Sequence, residues 1–304
     1  MAGRGAPDGK DVDEGEGIRD LTSGLHYGPA KITALAEFSQ VGPNRPLAFA
    51  HRGSSALRPE NTIEAFDHGL SFGADGLELD VHLSLDGVVV VHHDATLERT
   101  TNATGPVSAL TADELARVDA GYRFTPSPTA SEPAFPFRGR GIGVPTFRAV
   151  LQRYPEARLI VELKTGDVEL ARRTVDLIRE ADAVERVALG SFYWQGLNAA
   201  RKHEPRLATG AAREETRWAL YRSRIYWPIR RPKYTELQVP VRAGSTTIVT
   251  PHFIAHMHRA GLPVRIWTID DPAEMEQLLS WGADSIISDR PDIAVKVVSR
   301  WRRE

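Results

Sequence analysis

The sequence contains no cysteine among its 304 residues. This absence excludes disulfides, thiolate metal sites, iron–sulfur clusters and a cysteine nucleophile. The chain also lacks an excess of charge of one sign, because 38 lysines and arginines oppose 40 acidic residues to give a net charge of −2. A protein that binds nucleic acid usually carries a strongly basic surface, so we expect no nucleic-acid partner.

Long apolar runs are missing as well. Runs such as Val88–Val91 are far shorter than the ~18 residues that a membrane-spanning helix needs. Residues 1–28 are rich in Gly, Asp and Glu and contain no apolar stretch typical of a signal peptide. We therefore expect a cytoplasmic protein in which residues 1–44 form a disordered tail and a leading segment, followed by one domain over residues 45–304.

From residue 45 onward, short apolar runs alternate with helical patterns. The apolar runs are Leu47–Ala50, Leu77–Val81, Leu159–Leu163, Val187–Ser191, Leu207–Gly210, Leu237–Val241, Val264–Ile269 and Ser285–Ser288. The helical patterns are Thr62–Phe72, Val168–Ala181, Gln195–His203, Pro251–Ala260 and Pro272–Trp281. We expect Asn61 to cap the first helix, with Glu64 completing a capping box.

Eight strands that alternate with helices predict a (β/α)8 TIM barrel. A doubly wound open sheet is the alternative fold for this pattern. That fold usually places a G-x-G-x-x-G phosphate loop after its first strand, whereas this chain has His51-Arg52-Gly53 there. The barrel is therefore favoured.

Two segments interrupt the alternation. The first predicts an insertion after the second strand, at approximately residues 83–145, which begins with a hairpin signal at Asp86-Gly87. The second, Tyr221–Lys233, mixes aromatic side chains with arginines. It is interpreted either as a segment for transient contact with a membrane surface or as an ordinary loop at the barrel edge.

Active sites of such barrels lie where the strands end, so polar residues at those positions are candidates for the chemistry. They are His51, Arg52, Glu78, Asp80, His92, His93, Asp94, Glu162 and Lys164. Glu78 and Asp80 are two apart on a strand and therefore share one face. Together with Glu162 they would repel one another at the barrel mouth unless positive charge neutralises them. Either structural ion pairs or one divalent cation with oxygen ligands, Mg²⁺ or Ca²⁺, would do so.

The two histidines favour a catalytic interpretation. A histidine pair on different loops can supply a general acid and a general base near neutral pH. Arg52 and Lys164 add permanent positive charge, which suits the non-bridging oxygens of a phosphate diester. The combination indicates a phosphodiester substrate more specifically than any one of these residues does.

Several motifs of the chain resemble those of the glycerophosphodiester phosphodiesterases, and they occur in the order of that family over about residues 47–295. The motifs are His51-Arg52-Gly53, Arg58-Pro59-Glu60-Asn61-Thr62, Glu78-Leu79-Asp80-Val81, Val91-His92-His93-Asp94, Glu162-Leu163-Lys164, Trp267-Thr268-Ile269-Asp270 and Gly282–Pro291. The resemblance implies a barrel with an insertion after the second strand. It also implies metal-dependent hydrolysis of a small glycerophosphodiester to an alcohol and sn-glycerol 3-phosphate.

The resemblance also assigns roles to the candidate residues. It implies that His51 and His93 form the acid/base pair and that Arg52 and Lys164 bind the phosphate. The divalent cation, Mg²⁺ or Ca²⁺, would be held by the carboxylates Glu78, Asp80 and Glu162. The nucleophile is either a glycerol hydroxyl, through a cyclic phosphate, or water.

Three further residues have a predicted place. Glu60 either orients His51 by accepting its second ring proton or pairs with Arg58. Trp267 is expected to wall the glycerol of the substrate. Asp289 is expected to pair with the next residue or to cap the following helix.

Two other functions remain open at this point. One keeps the chemistry and changes the substrate, so that a lysophospholipase-D-like enzyme hydrolyses lysophospholipids. The other is a barrel that binds phosphorylated ligands without catalysis. Turnover of a diester, and the rates on a lysophospholipid and its deacylated diester, would separate these functions. The oligomeric state is not predicted.

Overall fold

The computed structural model of the protein describes residues 45–126 and 134–301. The predicted tail and leading segment at residues 1–44, part of the predicted insertion at residues 127–133, and residues 302–304 lie outside the described residues. Within the described ranges, no helix combines the length and the apolarity that a membrane crossing requires.

A curled sheet forms the centre of the protein. Its strands, together with a short separate hairpin (β8 and β9), are β1 (Leu47–His51), β2 (Gly76–Leu83), β3 (Val89–Val91), β4 (Arg158–Leu163), β5 (Val187–Gly190), β6 (Ala208–Thr209), β7 (Leu237–Pro240), β8 (Arg242–Ala243), β9 (Thr246–Thr247), β10 (Val264–Trp267) and β11 (Ser285–Ser288). The order β6-β5-β4-β2-β1-β11-β10-β7 is parallel throughout, and β3 pairs antiparallel to β2.

Backbone hydrogen bonds join the two ends of this strand order. The N–H of Ala211, just after β6, donates to the carbonyl oxygen of Glu236, just before β7, at 3.1 Å. The N–H of Thr235 donates to the carbonyl oxygen of Thr209 at 2.8 Å. Eight parallel strands closed in this way confirm the predicted (β/α)8 barrel and exclude the open doubly wound sheet.

Helices surround the barrel. Within the described residues the α-helices are α1 (Ile63–Ser71), α2 (Ala112–Leu115), α3 (Phe147–Arg153), α4 (Val168–Glu180), α5 (Trp194–His203), α6 (Arg213–Arg224), α7 (Pro251–His258), α8 (Pro272–Ser280) and α9 (Pro291–Val298), of which the one-turn α2 packs in the insertion rather than against the barrel. The five helical patterns of the sequence correspond to α1, α4, α5, α7 and α8 and are confirmed.

Two details of the predicted helices are wrong. Thr62, not Asn61, caps α1, because its Oγ1 accepts the N–H of Ala65 at 3.2 Å. The amide of Asn61 instead donates to Asp80 Oδ2 at the barrel mouth, at 2.8 Å. The start of the aromatic and basic segment, residues 221–224, is not a loop but the last turn of α6.

The alternation of side chains along β2 separates the core from the barrel interior. Leu77, Leu79 and Val81 are fully buried between the sheet and the helices. Phe49 of β1 and Ile160 of β4 belong to a second buried cluster that fills the barrel. Since successive residues of a strand point to opposite faces, Glu78 and Asp80 lie on the interior face, as the sequence predicted.

The chain between β2 and α3 leaves the barrel. It starts with the predicted hairpin, in which Gly87 adopts a positive φ of 73° and its N–H donates to the carbonyl oxygen of Ser84 at 3.0 Å. The segment has a small core of its own, formed by Val90, Leu97, Val107, Ala112, Leu115, Ala120 and Val144. The hairpin therefore returns the chain, through β3, to the carboxyl end of the barrel at His92–Asp94.

A glycine in α1 allows this helix to lie against the loop that follows β1. A Cβ atom at Gly69 would come within 1.9 Å of the carbonyl oxygen of Gly53. Since backbone cannot turn aside as a flexible side chain can, we expect Gly69→Ala to lower the free energy of unfolding by about 2–3 kcal/mol. Urea unfolding followed by circular dichroism measures this change.

A second helical glycine provides the matched control. The Cβ of Gly196→Ala in α5 would lie 3.4 Å from its nearest neighbour, the carbonyl oxygen of Thr165, which is ordinary contact. Alanine is favoured over glycine inside a helix by about 0.5–1 kcal/mol, so this variant should be neutral or slightly stabilised. Equal stability losses in both variants would contradict the proposed close approach at Gly69.

Candidate active site

The register of β1, β2 and β4 brings three carboxylates together at the carboxyl end of the barrel. Asp80 pairs with Glu162 on the neighbouring strand, and Glu78 pairs with His51. One carboxylate oxygen from each of Glu78, Asp80 and Glu162 lies within 4.8 Å of the others. The predicted acidic residues therefore form one cluster.

Two basic side chains and an amide approach the cluster mainly at Asp80. The Nζ of Lys164 lies 3.3 Å from Asp80 Oδ1 and 3.2 Å from Glu162 Oε1. The Nε of Arg52 lies 3.5 Å from Asp80 Oδ2, and the amide of Asn61 donates to the same oxygen at 2.8 Å. Burial of Asp80 would raise the pKa of its carboxyl, but these neighbours outweigh burial and hold the pKa below its usual value.

Neighbouring groups offset the burial of the Glu78 carboxylate much less than they offset that of Asp80. Burial and the charge of Asp80 raise the pKa of Glu78 to about 8. The backbone N–H of Arg52, a residue in the left-handed conformation with φ of 49°, donates to Glu78 Oε2 at 3.1 Å. The cluster thus contains a buried carboxylate for which further positive charge would be favourable. Closely spaced carboxylate oxygens of this kind suit a hard divalent cation, for which Glu78, Asp80 and Glu162 supply the ligands.

The imidazole of His51 contacts a carboxylate from the C-terminal end of the barrel. Its Nδ1 lies 2.5 Å from Oδ1 of Asp289, which follows β11 and also accepts a hydrogen bond from the hydroxyl of Ser55. Its Nε2 lies 3.7 Å from Glu78 Oε2. Burial alone would lower the pKa of His51, but the carboxylates of Glu78 and Asp289 outweigh burial and raise it.

The predicted role of Asp289 as a partner of Arg290 or a helix cap is therefore wrong. Arg290 pairs with Asp292 at 2.9 Å, which leaves Asp289 to His51. The sequence offered one signal, because Asp289 directly follows the last predicted strand of the barrel. This signal could be used only once the structure showed that the last strand, β11, lies beside β1.

His93 has a similar arrangement on the opposite loop. Its Nδ1 lies 2.6 Å from Oδ1 of Asp94, and Asp94 in turn accepts from Nε of Arg99 at 2.5 Å. Burial lowers the pKa of His93, and the nearby carboxylates of Asp80 and Asp94 offset only part of this effect. The backbone of the same loop is fixed by His82, whose Nε2 lies 3.1 Å from the carbonyl oxygen of His93.

Glu60 does not orient His51, so that prediction is wrong, as is the alternative pairing with Arg58. Glu60 instead accepts hydrogen bonds from Arg52 Nη1 at 2.9 Å and from both terminal nitrogens of Arg99 at 2.7 and 2.8 Å. Glu60 therefore links Arg52 to the loop that carries His93. The sequence did not reveal Arg99, which lies in the insertion.

The candidate residues surround a cavity of about 110 Å³. Its polar lining is His51, Arg52, Glu78, His93, Glu162, Lys164, Gln238 and Thr268. Trp267 and Phe192 form its apolar wall, with their rings in an edge-to-face contact at 6.0 Å. Of the nine predicted site residues, Glu60 and Asp80 are the two that do not line this cavity, and both instead contact Arg52.

This arrangement defines a class of protein. A (β/α)8 barrel commonly carries its active site at the carboxyl ends of the strands. Here two histidines that can exchange protons, the positively charged side chains of Arg52 and Lys164, and a buried acidic cluster share one pocket. Such a pocket is suited to the hydrolysis of a phosphate ester.

The family within this class follows from a match along most of the chain. Residues 51–293 match the model of the glycerophosphoryl diester phosphodiesterase family. The chain belongs to this family and is a phosphoric diester hydrolase, as the sequence motifs implied.

Individual relatives agree with this assignment. The chain is 31% identical over 267 residues to a glycerophosphodiester phosphodiesterase of Caldanaerobacter subterraneus, a match that covers 84% of this chain and 99% of the relative. A solved glycerophosphodiester phosphodiesterase from Agrobacterium tumefaciens is 27% identical, with a TM-score of 0.65 and coverage of 83% and 99%. A phosphodiesterase from Oleispira antarctica, solved with the product sn-glycerol-3-phosphate, is 24% identical with a TM-score of 0.68 and coverage of 84% and 97%, and it supports the fold.

Proposed function

We propose that the chain hydrolyses a glycerophosphodiester to an alcohol and sn-glycerol 3-phosphate with one divalent cation, Mg²⁺ or Ca²⁺, and with proton transfer by two histidines. One observation carries this proposal. His51 and His93 line the same cavity, and each has its Nδ1 beside a carboxylate, Asp289 for the first and Asp94 for the second. Each ring therefore presents its Nε2 as the atom that can exchange a proton.

The acidic cluster is the proposed cation site. Glu78, Asp80 and Glu162 would hold the ion, since three carboxylates offer the oxygen ligands that Mg²⁺ and Ca²⁺ prefer. A bound divalent cation polarises a phosphoryl oxygen and stabilises the charge that develops there.

Arg52 and Lys164 are the proposed phosphate-binding residues. Both line the cavity beside the histidines and carry permanent positive charge. Their positions allow them to hold the non-bridging oxygens, so that the phosphorus atom lies between the two imidazoles. Trp267 provides an apolar wall suited to the carbon atoms of the glycerol.

The two imidazoles divide the proton transfers. One Nε2 accepts the proton of the attacking oxygen as its bond to phosphorus forms. The other Nε2 donates a proton to the oxygen of the leaving alcohol as that bond breaks. The net reaction consumes one water and releases an alcohol and sn-glycerol 3-phosphate.

Incubation of the purified protein with glycerophosphocholine tests this proposal. Choline and sn-glycerol 3-phosphate should appear in equal amounts in the presence of Mg²⁺ or Ca²⁺, and a chelator should stop their release. Ligand binding without turnover under both ions would instead favour the non-catalytic barrel. Undiminished turnover in the chelator would contradict the metal requirement.

The contact between Asp289 and His51 leads to a prediction about positioning. Asp289→Asn removes the charge that keeps the proton of His51 on Nδ1, so we expect kcat on glycerophosphocholine to fall by about 10- to 100-fold. The KM should change much less, because Asp289 lies behind the imidazole rather than against the phosphate. Steady-state kinetics over a range of pH measure both effects.

Asp292→Asn is the matched control for this substitution. Asp292 lies three residues further along the chain and pairs with Arg290 rather than with a histidine. Its kinetic constants and their pH dependence should remain close to those of the unmodified protein. If the two variants behaved alike, the proposed positioning role of Asp289 would be wrong.

A further inference from the structure

A fully buried ion pair lies in the barrel interior, one step deeper than the catalytic pocket. It joins Glu236, just before β7, to Arg265 of the neighbouring strand β10, with Arg265 Nε 2.9 Å from Glu236 Oε2. Nη1 of Arg265 also donates to the hydroxyl of Ser285 at 2.6 Å. A guanidinium stays protonated in proteins, so the burial of Arg265 requires a negative partner, and Glu236 supplies that charge.

The second oxygen of Glu236 sets the orientation of Gln238. The two residues are two apart and therefore share the interior face of β7, where Gln238 is also the register partner of Arg265. Nε2 of Gln238 donates to Glu236 Oε1 at 2.7 Å. Because an ionised carboxylate accepts hydrogen bonds and donates none, the amide must turn its NH2 group to Glu236. The group that remains for other partners is the acceptor Oε1.

Two glycines provide the space that this amide occupies. Gly190 is the last residue of β5, and a Cβ atom there would lie 2.3 Å from Gln238 Oε1. Gly210 follows β6, and a Cβ atom there would lie 3.1 Å from Cδ of Gln238. The amide is consequently fixed both by its hydrogen bond to Glu236 and by the close backbone on its other side.

The oriented oxygen lies at the mouth of the barrel. Gln238 lines the catalytic pocket and also a larger neighbouring cavity of about 450 Å³, as do Trp267 and Phe192. Among the residues that the structure describes, no group donates a hydrogen bond to Gln238 Oε1. A fixed acceptor in a ligand pocket is suited to a ligand that carries a donor, and a hydroxyl group is one.

We propose that Gln238 is a specificity-determining residue whose Oε1 accepts a hydrogen bond from the terminal hydroxyl of the substrate's glycerol. The inference rests on the proposed function, because it places the glycerol of the same molecule against Trp267. Arg52 and Lys164 would hold the phosphate beside the histidines. The terminal hydroxyl is the one farthest from that phosphate, so it reaches the junction of the two cavities where Gln238 lies.

The buried ion pair gives this contact its selectivity. A site built to hydrogen-bond a hydroxyl discriminates against an analogue that lacks it, because a polar atom of the protein is then left without a partner. The amide of Gln238 cannot rotate to avoid this loss, since its NH2 group would leave Glu236. Glu236 and Arg265 thus act as positioning residues for Gln238.

Kinetics on two deoxy analogues of glycerophosphocholine test the proposal. One analogue lacks the terminal hydroxyl and the other lacks the central hydroxyl. In the unmodified enzyme, loss of the terminal hydroxyl should lower kcat/KM by about 10- to 100-fold, whereas in Gln238→Met the same loss should change it by less than about threefold. Each ratio is measured within one variant, so a smaller folded fraction does not affect it.

The second analogue and a control variant complete this experiment. Loss of the central hydroxyl should lower kcat/KM by the same factor in the unmodified enzyme and in Gln238→Met. Gln277→Met, on the exposed face of α8, should keep the discrimination of the unmodified enzyme. Undiminished discrimination against the terminal deoxy analogue in Gln238→Met would overturn the proposal, as would a loss of discrimination confined to the central hydroxyl.

A substitution that leaves Gln238 in place gives an independent result. The methyl group of Gly190→Ala would take the position of Gln238 Oε1 and displace the amide. It should lower the discrimination against the terminal deoxy analogue by about fivefold or more. Gly196→Ala is the matched control, because its Cβ meets only ordinary contacts. Equal discrimination in both variants would contradict the inference.

Binding of the product separates this inference from the proposed function. sn-Glycerol 3-phosphate and its analogue without the terminal hydroxyl are titrated calorimetrically into the full chain with Ca²⁺. We expect the unmodified protein to bind the first at least about tenfold more tightly, and Gln238→Met to bind both with similar affinity. This discrimination in a protein that turns over no diester would refute the proposed function and retain the role of Gln238. Turnover of glycerophosphocholine without the discrimination would refute the role of Gln238 alone.

Discussion

Replacing His51 with glutamine should lower kcat on glycerophosphocholine by about 10³-fold, within the range that general acid–base catalysis contributes. Glutamine is similar in size and can still donate a hydrogen bond to Asp289, so the pocket should keep its shape. It cannot take up or release a proton near neutral pH. The loss should therefore appear mainly in kcat rather than in KM, and stopped or continuous assays of choline release measure it.

The corresponding control is His203→Gln. His203 is the last residue of α5 and lies 2.7 Å from Asp176, away from the catalytic pocket. Its kcat should stay within about twofold of the unmodified enzyme, since it takes part in no proton transfer. Retention of most activity in His51→Gln, with a normal thermal melt, would contradict the acid/base role of His51.

Removing one carboxylate from the acidic cluster should abolish the response of the protein to divalent cations. In the unmodified chain, an ion at about 100 times its Kd should stabilise the fold by about 2.7 kcal/mol. For a domain of this size that corresponds to a rise in melting temperature of roughly 5–10 °C. Glu78→Gln should show no such rise, and its kcat/KM should fall by about 10³-fold.

The stability of the metal-free variant distinguishes a lost ligand from a damaged fold. Glu78 and Asp80 are both buried, and their repulsion is one reason why the pKa of Glu78 is raised to about 8. Without metal, Glu78→Gln should therefore melt at the same temperature as the unmodified protein or higher. The surface variant Glu274→Gln should keep the full rise with metal. A rise that survives in Glu78→Gln would place the ion elsewhere.

The barrel was predictable because its signals are local. Apolar runs such as Leu159–Leu163 alternate with amphipathic patterns such as Val168–Ala181, and each pattern shows its own element without knowledge of the rest. The two-residue spacing of Glu78 and Asp80 likewise fixes that both lie on one face of their strand. Helix α6 was not among the predicted helices, because its exposed face carries the aromatic residues Trp218 and Tyr221, which blur the usual alternation of apolar and polar side chains.

The partners of the site residues were harder to predict because they depend on distant contacts. Asp289 and His51 are separated by 238 positions and meet only because β11 lies beside β1. Glu60 is close to His51 in sequence, yet its strongest contacts are with Arg99 of the insertion, 39 positions away. A larger cavity beside the catalytic pocket is lined by residues of α6, β7 and the β8–β9 hairpin, and no single motif describes that combination.

A crystal structure of the protein with Ca²⁺ and sn-glycerol 3-phosphate would test the central claim most directly. We expect the ion roughly 2.3–2.6 Å from oxygens of Glu78, Asp80 and Glu162. The phosphate should lie beside Arg52 and Lys164, with Nε2 of His51 and His93 directed at its oxygens. An ion outside the acidic cluster, or a phosphate away from both imidazoles, would contradict this account.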